Sequence, residues 1–241
     1  MPYRRQQLVN NEIYHIVLRR IGDDLLFKDI DDYYRGIFSI YEFNTIQPVE
    51  IKQRRKVRAK IKASGDPLSV VDTRDPLVET LLFCLMPNHI HLLLRQVKEN
   101  GITKYMNKFG AGYPTYFKQK YKLRDIKYKG YFFQRRFESV HIKTDDQLKI
   151  VFVYIHTNPI SLIEPNWKEK GVKNPDKVIE FLKHYKWSSY LDYIGKKNFP
   201  SVTSREFLSK IIGGEKNCRK FVENWVKYKG KIEEFTELSL E

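Results

Sequence analysis

Apolar and polar positions alternate along this chain with two periods, which divide it into short strand-like runs and longer helix-like ones. Residues 12–20, EIYHIVLRR, are rich in Ile, Val and Tyr and read as a strand. In DIDDYYRGIFSIYEFN, Ile30, Tyr33, Tyr34, Ile37, Ile40 and Tyr41 recur at helical spacing, with Asp29 or Asp31 placed to cap the helix. Two apolar runs of strand length follow, VETLLFCLM at 78–86 and HIHLLLR at 89–95. Pro87-Asn88 between them is a turn signal tight enough for a hairpin. Helical spacing returns over 101–122, where Tyr105, Phe109, Tyr113, Tyr116, Phe117 and Tyr121 interleave with lysines, and Pro114 predicts a kink or a break. Residues 128–142 read as strand. DDQLKIVFVYIHTNPI reads as a helix that starts near Asp145 or Asp146 and ends before Pro159.

This order predicts an α+β fold, a ferredoxin-like antiparallel sheet with helices on one face. After Pro165 the pattern becomes amphipathic and helical in KVIEFLKHYK, SSYLDYIG, SREFLSKIIGG and CRKFVENWVKYK, broken by Pro200 and Gly213-Gly214. The expected division is one domain over 1–165, with a basic insertion at about 45–76, and a C-terminal helical extension over 166–241. There is no internal repeat.

Charge narrows the partner class. The formal net charge is +15, from 44 Lys and Arg against 29 Asp and Glu, and a surface that basic attracts polyanions, nucleic acid first among them. Seven of the eleven residues at 52–62 are Lys or Arg. That run reads either as a solvated charge run or as a flexible or hairpin arm lying on a nucleic-acid backbone. Arg4, Arg5, Arg19, Arg20, Arg135 and Arg136 flank expected strands and are candidates for phosphate contacts. Tyr113, Tyr116 and Phe133 are candidate stacking faces for bases, against the alternative of core packing. The cysteines, Cys84 and Cys218, are far apart and suggest neither a disulfide nor a CxxC metal site. No apolar run approaches membrane-spanning length and the basic start leads into no signal-peptide core, so an intracellular protein is expected.

The candidate chemistry lies in MPNHIHLLLRQ. On a strand, His89 and His91 point to the same side and Ile90 to the other, so two imidazoles stand together on a rigid support, ready to hold a metal or to serve as satisfied polar residues. Neither a run of acidic ligands nor a second cysteine beside Cys84 follows, which disfavours hydrolytic and zinc centres. A third ligand must come from elsewhere, and VFVYIHTNP offers one: Tyr154 and Asn158 are four apart and share one helix face. Taken alone, Tyr154 reads as a core aromatic, since its segment is apolar and the chain has 15 other tyrosines.

Together FCLMPNHIHLLL, KYMNKFGAGYPTYF, GYFFQRRFES, YIHTNPI and WSSY resemble the REP-associated tyrosine transposases, within the single-tyrosine HUH transposases, over most of residues 1–195. The resemblance implies the HUH transposase fold and a metal-dependent endonuclease and strand transferase that acts on single-stranded or hairpin DNA through a covalent 5′-phosphotyrosine. By motif, His89 and His91 are metal ligands and Tyr154 is the nucleophile. Asn158 stands where related transposases commonly have Gln, and His156, between the two, points off their face. The implied cofactor is Mg2+ or Mn2+, since a mixed imidazole and oxygen site suits either. The implied state is a monomer or homodimer, off the membrane, cytoplasmic and nucleoid-associated in a bacterium. Two other readings use the same sheet: a catalytically silent hairpin-DNA binder, and an RNA-binding domain without a metal.

Overall fold

The computed structural model describes residues 7–22, 24–64, 74–123, 131–134 and 136–227. Strand β1 (Ile13–Arg19) leads to helix α1 (Ile30–Glu42), and a second helix, α2 (Ile51–Ser64), follows before strands β2 (Val78–Met86) and β3 (His89–Gln96). Helix α3 (Gly101–Lys120), strand β4 (Glu138–Ile142) and helix α4 (Asp145–Thr157) complete the first part, and α4 runs on into a 3-10 turn over Asn158–Leu162. The four strands form one antiparallel sheet in the order β2-β3-β1-β4, which is the ferredoxin-like arrangement.

Side chains alternate across this sheet and build a core on each side. Tyr14, Ile16, Leu18, Phe83, Leu85, Ile90, Leu92 and Leu94 face α1 and α3, the helix pair expected from the sequence. Tyr105 and Tyr113 of α3 bury their rings there and donate their hydroxyls to the carbonyls of Ile40 and Leu26, so these phenols lie inside the core with their polar ends satisfied. A Cβ at Gly112 would overlap the Phe43 ring, which is why α3 is smallest where it crosses the end of α1. Asp29 is the residue that caps α1, accepting from the amides of Asp31 and Asp32.

The other face, bearing Ile13, Cys84, Met86, Leu93 and Ile142, is covered by α4 and by the C-terminal helices. These are α5 (Trp167–Lys170), α6 (Pro175–Leu182), α7 (Tyr190–Tyr193), α8 (Glu206–Ile212) and α9 (Glu215–Lys227). Leu208, Val222 and Val226 pack in the same cluster as Val151, Phe152 and Ile155 of α4, so α4 lies between the sheet and the helices that follow it. The outer edge of β2 is closed by residues 185–193. Tyr185 and Tyr193 donate to the carbonyls of Leu85 and Leu81, Ser189 to that of Phe83, and Leu85 to that of Trp187. An edge strand covered in this way offers no free ladder to another chain.

Three expectations change. The basic run is neither a flexible arm nor a hairpin over 51–64. It is helical, fastened to α1 because Arg54 and Arg58 pair with Glu42, which is 1% exposed. Pro114 does not end α3, which continues from Gly101 to Lys120 with Tyr113 and Phe117 buried on either side of it. Tertiary packing there outweighs the missing amide. The strand expected over 128–142 is confined, among the described residues, to Glu138–Ile142 and one bridge between Phe133 and Arg20. Phe132 and Phe133 turn into the core instead of continuing the ladder. Cys84 and Cys218 are both free thiols, and no helix among the described residues is long and apolar enough to cross a membrane.

Candidate active site

β3 is central, paired with β2 on one side and β1 on the other, and this fixes where its histidines stand. His89 lies opposite Met86 and Arg19, and His91 opposite Cys84 and Val17. Both point to the α4 side; their rings are 4.7 Å apart between centroids, at 84°. His91 is fully buried and His89 nearly so.

Each imidazole is held by one nitrogen. His89 Nδ1 lies 2.6 Å from Asn88 Oδ1, an acceptor, so this nitrogen carries the proton and donates it. His91 Nδ1 lies 3.0 Å from Nε2 of a third histidine, His15 of β1. The opposite nitrogens, Nε2 of His89 and of His91, are buried and have no hydrogen-bond partner among the described residues. Burial pushes the His89 imidazole down to about 3, helped by the positive charges of Arg19 and Lys168, and holds His91 well below the ordinary histidine value. Both rings are therefore neutral at pH 7, the state in which imidazole binds a cation.

Helix α4 brings the tyrosine. Thr144 caps it by accepting from the Gln147 amide, and Asp145 and Asp146 in the first turn suit the positive end of the helix dipole. The last turns carry Tyr154 to the sheet, where its ring meets His91 at 5.6 Å and 89° and His15 at 5.7 Å and 74°. Asn158 follows as the C-cap, still in helical conformation, and donates from Nδ2 to the Tyr154 carbonyl at 3.1 Å. Tyr154 thus stands beside His91 of the same chain, with Asn158 one turn further along at the end of α4. His156 points away, bonded through Nε2 to Ser189 Oγ at 2.8 Å and packed against Phe152 and Tyr193.

No group of three or more His, Cys, Asp or Glu residues stands ready for a metal among the described residues. Cys84, across from His91, has its thiol pushed up by complete burial and stays protonated. The bare Nε2 atoms of His89 and His91 are a pair of donors that a cation could use, which differs from a closed zinc centre.

The arginines divide. Arg19, half-buried, lines a small cleft with Val17, Gln134, Phe137 and Glu138 and lends positive potential to His89. Arg136 is exposed. Arg4, Arg5 and Arg135 lie outside the described residues. Arg20 departs from the expectation: it is 1% exposed, donates to the Phe132 carbonyl at 2.8 Å, pairs with Asp24 and lies 3.6 Å over the Phe132 ring. It works as an internal strut between the end of β1 and residues 132–133. Arg20→Ala is expected to lower stability by about 2–4 kcal/mol in denaturant titration and to leave the salt slope of DNA affinity unchanged. A slope reduced by about one would return it to the DNA surface. Tyr113, Tyr116 and Phe133, named as stacking faces, are engaged within the protein: Tyr113 and Phe133 are buried, and Tyr116 donates to the buried Asp32.

Sequence reasoning missed His15 and Lys168. His15 looks like one polar residue in an apolar strand, and its place beside His91 depends on a pairing 76 residues apart. Lys168, from α5, sits with Nζ 5.3 Å from the Tyr154 ring centroid, and no local pattern announces it.

Comparison with known proteins agrees with the motifs. Residues 50–158 match the family described as "Transposase IS200 like". No curated protein matches. A solved structure described as a REP-associated tyrosine transposase bound to a REP hairpin is similar at 13% identity, over 86% of this chain and 93% of that one, with a TM-score of 0.43. His89, His91, Tyr154 and Asn158 all fall within the stretch over which the chain is similar to that family.

Proposed function

We propose that the protein is a divalent-metal-dependent endonuclease and strand transferase for single-stranded DNA at hairpin-forming repeats, with Tyr154 as nucleophile. The observation that carries this reading is the meeting, within one chain, of the Tyr154 ring with His91, whose ring adjoins that of His89, both imidazoles being neutral with Nε2 atoms buried without hydrogen-bond partners among the described residues.

The step conserves bonds. The Tyr154 phenolic oxygen attacks a backbone phosphorus, the bond from phosphorus to the 3′ oxygen breaks, and the departing oxygen takes up a proton as a 3′-hydroxyl. The 5′ side stays joined to the protein as a phosphotyrosine. Reversal by a 3′-hydroxyl on another strand completes strand transfer, and no nucleotide hydrolysis is needed because the phosphodiester energy stays in the link. A phenol with an ordinary value near 10 is protonated at neutral pH, and forming a free phenolate there costs about 4 kcal/mol.

His89, His91 and Asn158 would hold Mg2+ or Mn2+, and such an ion supplies Lewis-acid polarisation of the phosphate oxygens. The protein's own residues do the positioning. Asn158 is fastened to the Tyr154 carbonyl, so ligand and nucleophile move together with the end of α4. Arg19 and Lys168 both bring positive charge to His89, and Lys168 lies by the Tyr154 ring, a potential that draws a phosphate.

The test is incubation of the protein with end-labelled DNA hairpins bearing single-stranded flanks, in Mg2+ or Mn2+, followed by denaturing electrophoresis. A covalent protein–DNA band that chelation removes is expected. Tight hairpin binding without any such band would make the protein a silent hairpin binder, and preference for a matched RNA hairpin would move it to RNA recognition.

A further inference from the structure

We infer that His15 is a positioning residue for the cation site, holding His91 in the tautomer and orientation that turn a bare Nε2 toward the cation. The inference rests on the proposed role of His89 and His91 as ligands. It concerns a residue that the H-x-H motif does not contain.

A neutral imidazole has one N–H and one lone pair, and only the lone pair binds a cation. For His89 the choice is made by Asn88, whose Oδ1 accepts and so keeps the proton on Nδ1. His91 has no carbonyl in that place. Its Nδ1 faces His15 Nε2 at 3.0 Å, and two neutral rings share that single bond in one of two ways. If His91 donates, its Nε2 is bare and matches that of His89. If His15 donates, His91 carries its proton on Nε2, and the two nitrogens beside each other no longer form a pair of donors to a metal. A cation at the site therefore selects the first arrangement, and His15 is the acceptor that makes it available.

Three further observations fit this role. His15 is completely buried, which keeps its Nε2 against His91 Nδ1. Its ring stacks on that of His91 with centroids 5.2 Å apart and planes at 22°, which resists rotation of His91 about its own side chain. It also meets the Tyr154 ring, so one side chain sets the ligand and the nucleophile against each other. Register fixes it there: β1 and β3 pair along their length, with His15 opposite Leu93 and His91 opposite Val17, so the two histidines are diagonal neighbours on one face.

The experiment compares Mn2+ affinity, by electron paramagnetic resonance or calorimetry, of the full chain and of His15→Phe and His15→Gln, with His89→Ala as reference. Phe keeps a ring in place but accepts nothing, and Mn2+ affinity is expected to fall about 10- to 100-fold. Gln offers an amide oxygen to the same His91 proton and is expected to bind within about threefold of the parent. Thermal unfolding and hairpin binding in chelator serve as the structural controls. Equal Mn2+ affinity in His15→Phe and the parent would overturn the inference alone. No saturable Mn2+ site sensitive to His89→Ala in the parent would overturn the metal reading beneath it. Nitrogen-15 NMR of the unsubstituted protein in Mg2+ decides independently of how the variants fold: a His91 proton on Nδ1 supports the role, and one on Nε2 rejects it.

Discussion

Tyr154→Phe is expected to abolish the covalent protein–DNA adduct while leaving the fold and the hairpin affinity close to the parent. The variant removes one oxygen and nothing else. The ring stays packed against His91 and His15, the Asn158 contact is made to the backbone carbonyl of residue 154, and no change in cavity volume follows. Stability should move by about 1 kcal/mol or less in denaturant titration. Phosphate contacts, which dominate affinity for DNA, do not involve the phenol, so filter binding should change by no more than about threefold. A metal-dependent adduct that survives in Tyr154→Phe would require a nucleophile elsewhere, and the reading of α4 as the catalytic helix would fall with it.

Acid is expected to unfold this protein earlier than most, and the cause is its buried histidines. His15, His89 and His156 are each pushed down to about 3 by burial, and His91 is held well below its ordinary value. Above about pH 6.5 these groups are neutral in folded and unfolded chains alike, and their neutrality costs nothing. As pH falls below that, the unfolded chain takes up protons that the folded one refuses until about pH 3, so stability declines through this window. Each fully buried group contributes at most about 1.4 kcal/mol per pH unit, and four of them about 5. Against a typical stability of about 5–15 kcal/mol, cooperative unfolding should arrive between about pH 4 and pH 5.5. Thermal scans from pH 8 to pH 4 check this. A melting temperature that stays flat from pH 7 to pH 5 would mean that these rings are not buried in the neutral state.

How much of this could be read from the sequence depended on the range of each interaction. Strand β3 and the side-sharing of His89 and His91 followed from alternation within eight residues, and the cap of α1 was narrowed to Asp29 or Asp31 by local chemistry, with Asp29 the one that does it. The expectation that Tyr154 and Asn158 share a face needed only the helical repeat, which persists through the C-cap. What escaped was set by pairing across the fold. Arg19 and Arg20 are neighbours with the same side chain, yet one borders the cleft and the other is buried, because the Phe132 carbonyl and ring wait on one side of the chain only. His15 acquires its meaning from the register between β1 and β3. The basic run became a helix because Glu42, at the end of α1, gives two of its arginines a buried partner; composition alone showed only the charge.

The helix that carries Tyr154 is clasped on two sides, by the sheet beneath it and by α8 and α9 above it. The aim of the phenol is therefore set as much by residues 206–227 as by the strand bearing the imidazoles. Loosening that roof, through a substitution at Leu208 or Val222 or through a partner docking on it, would act on the nucleophile from behind without touching a single group that meets DNA.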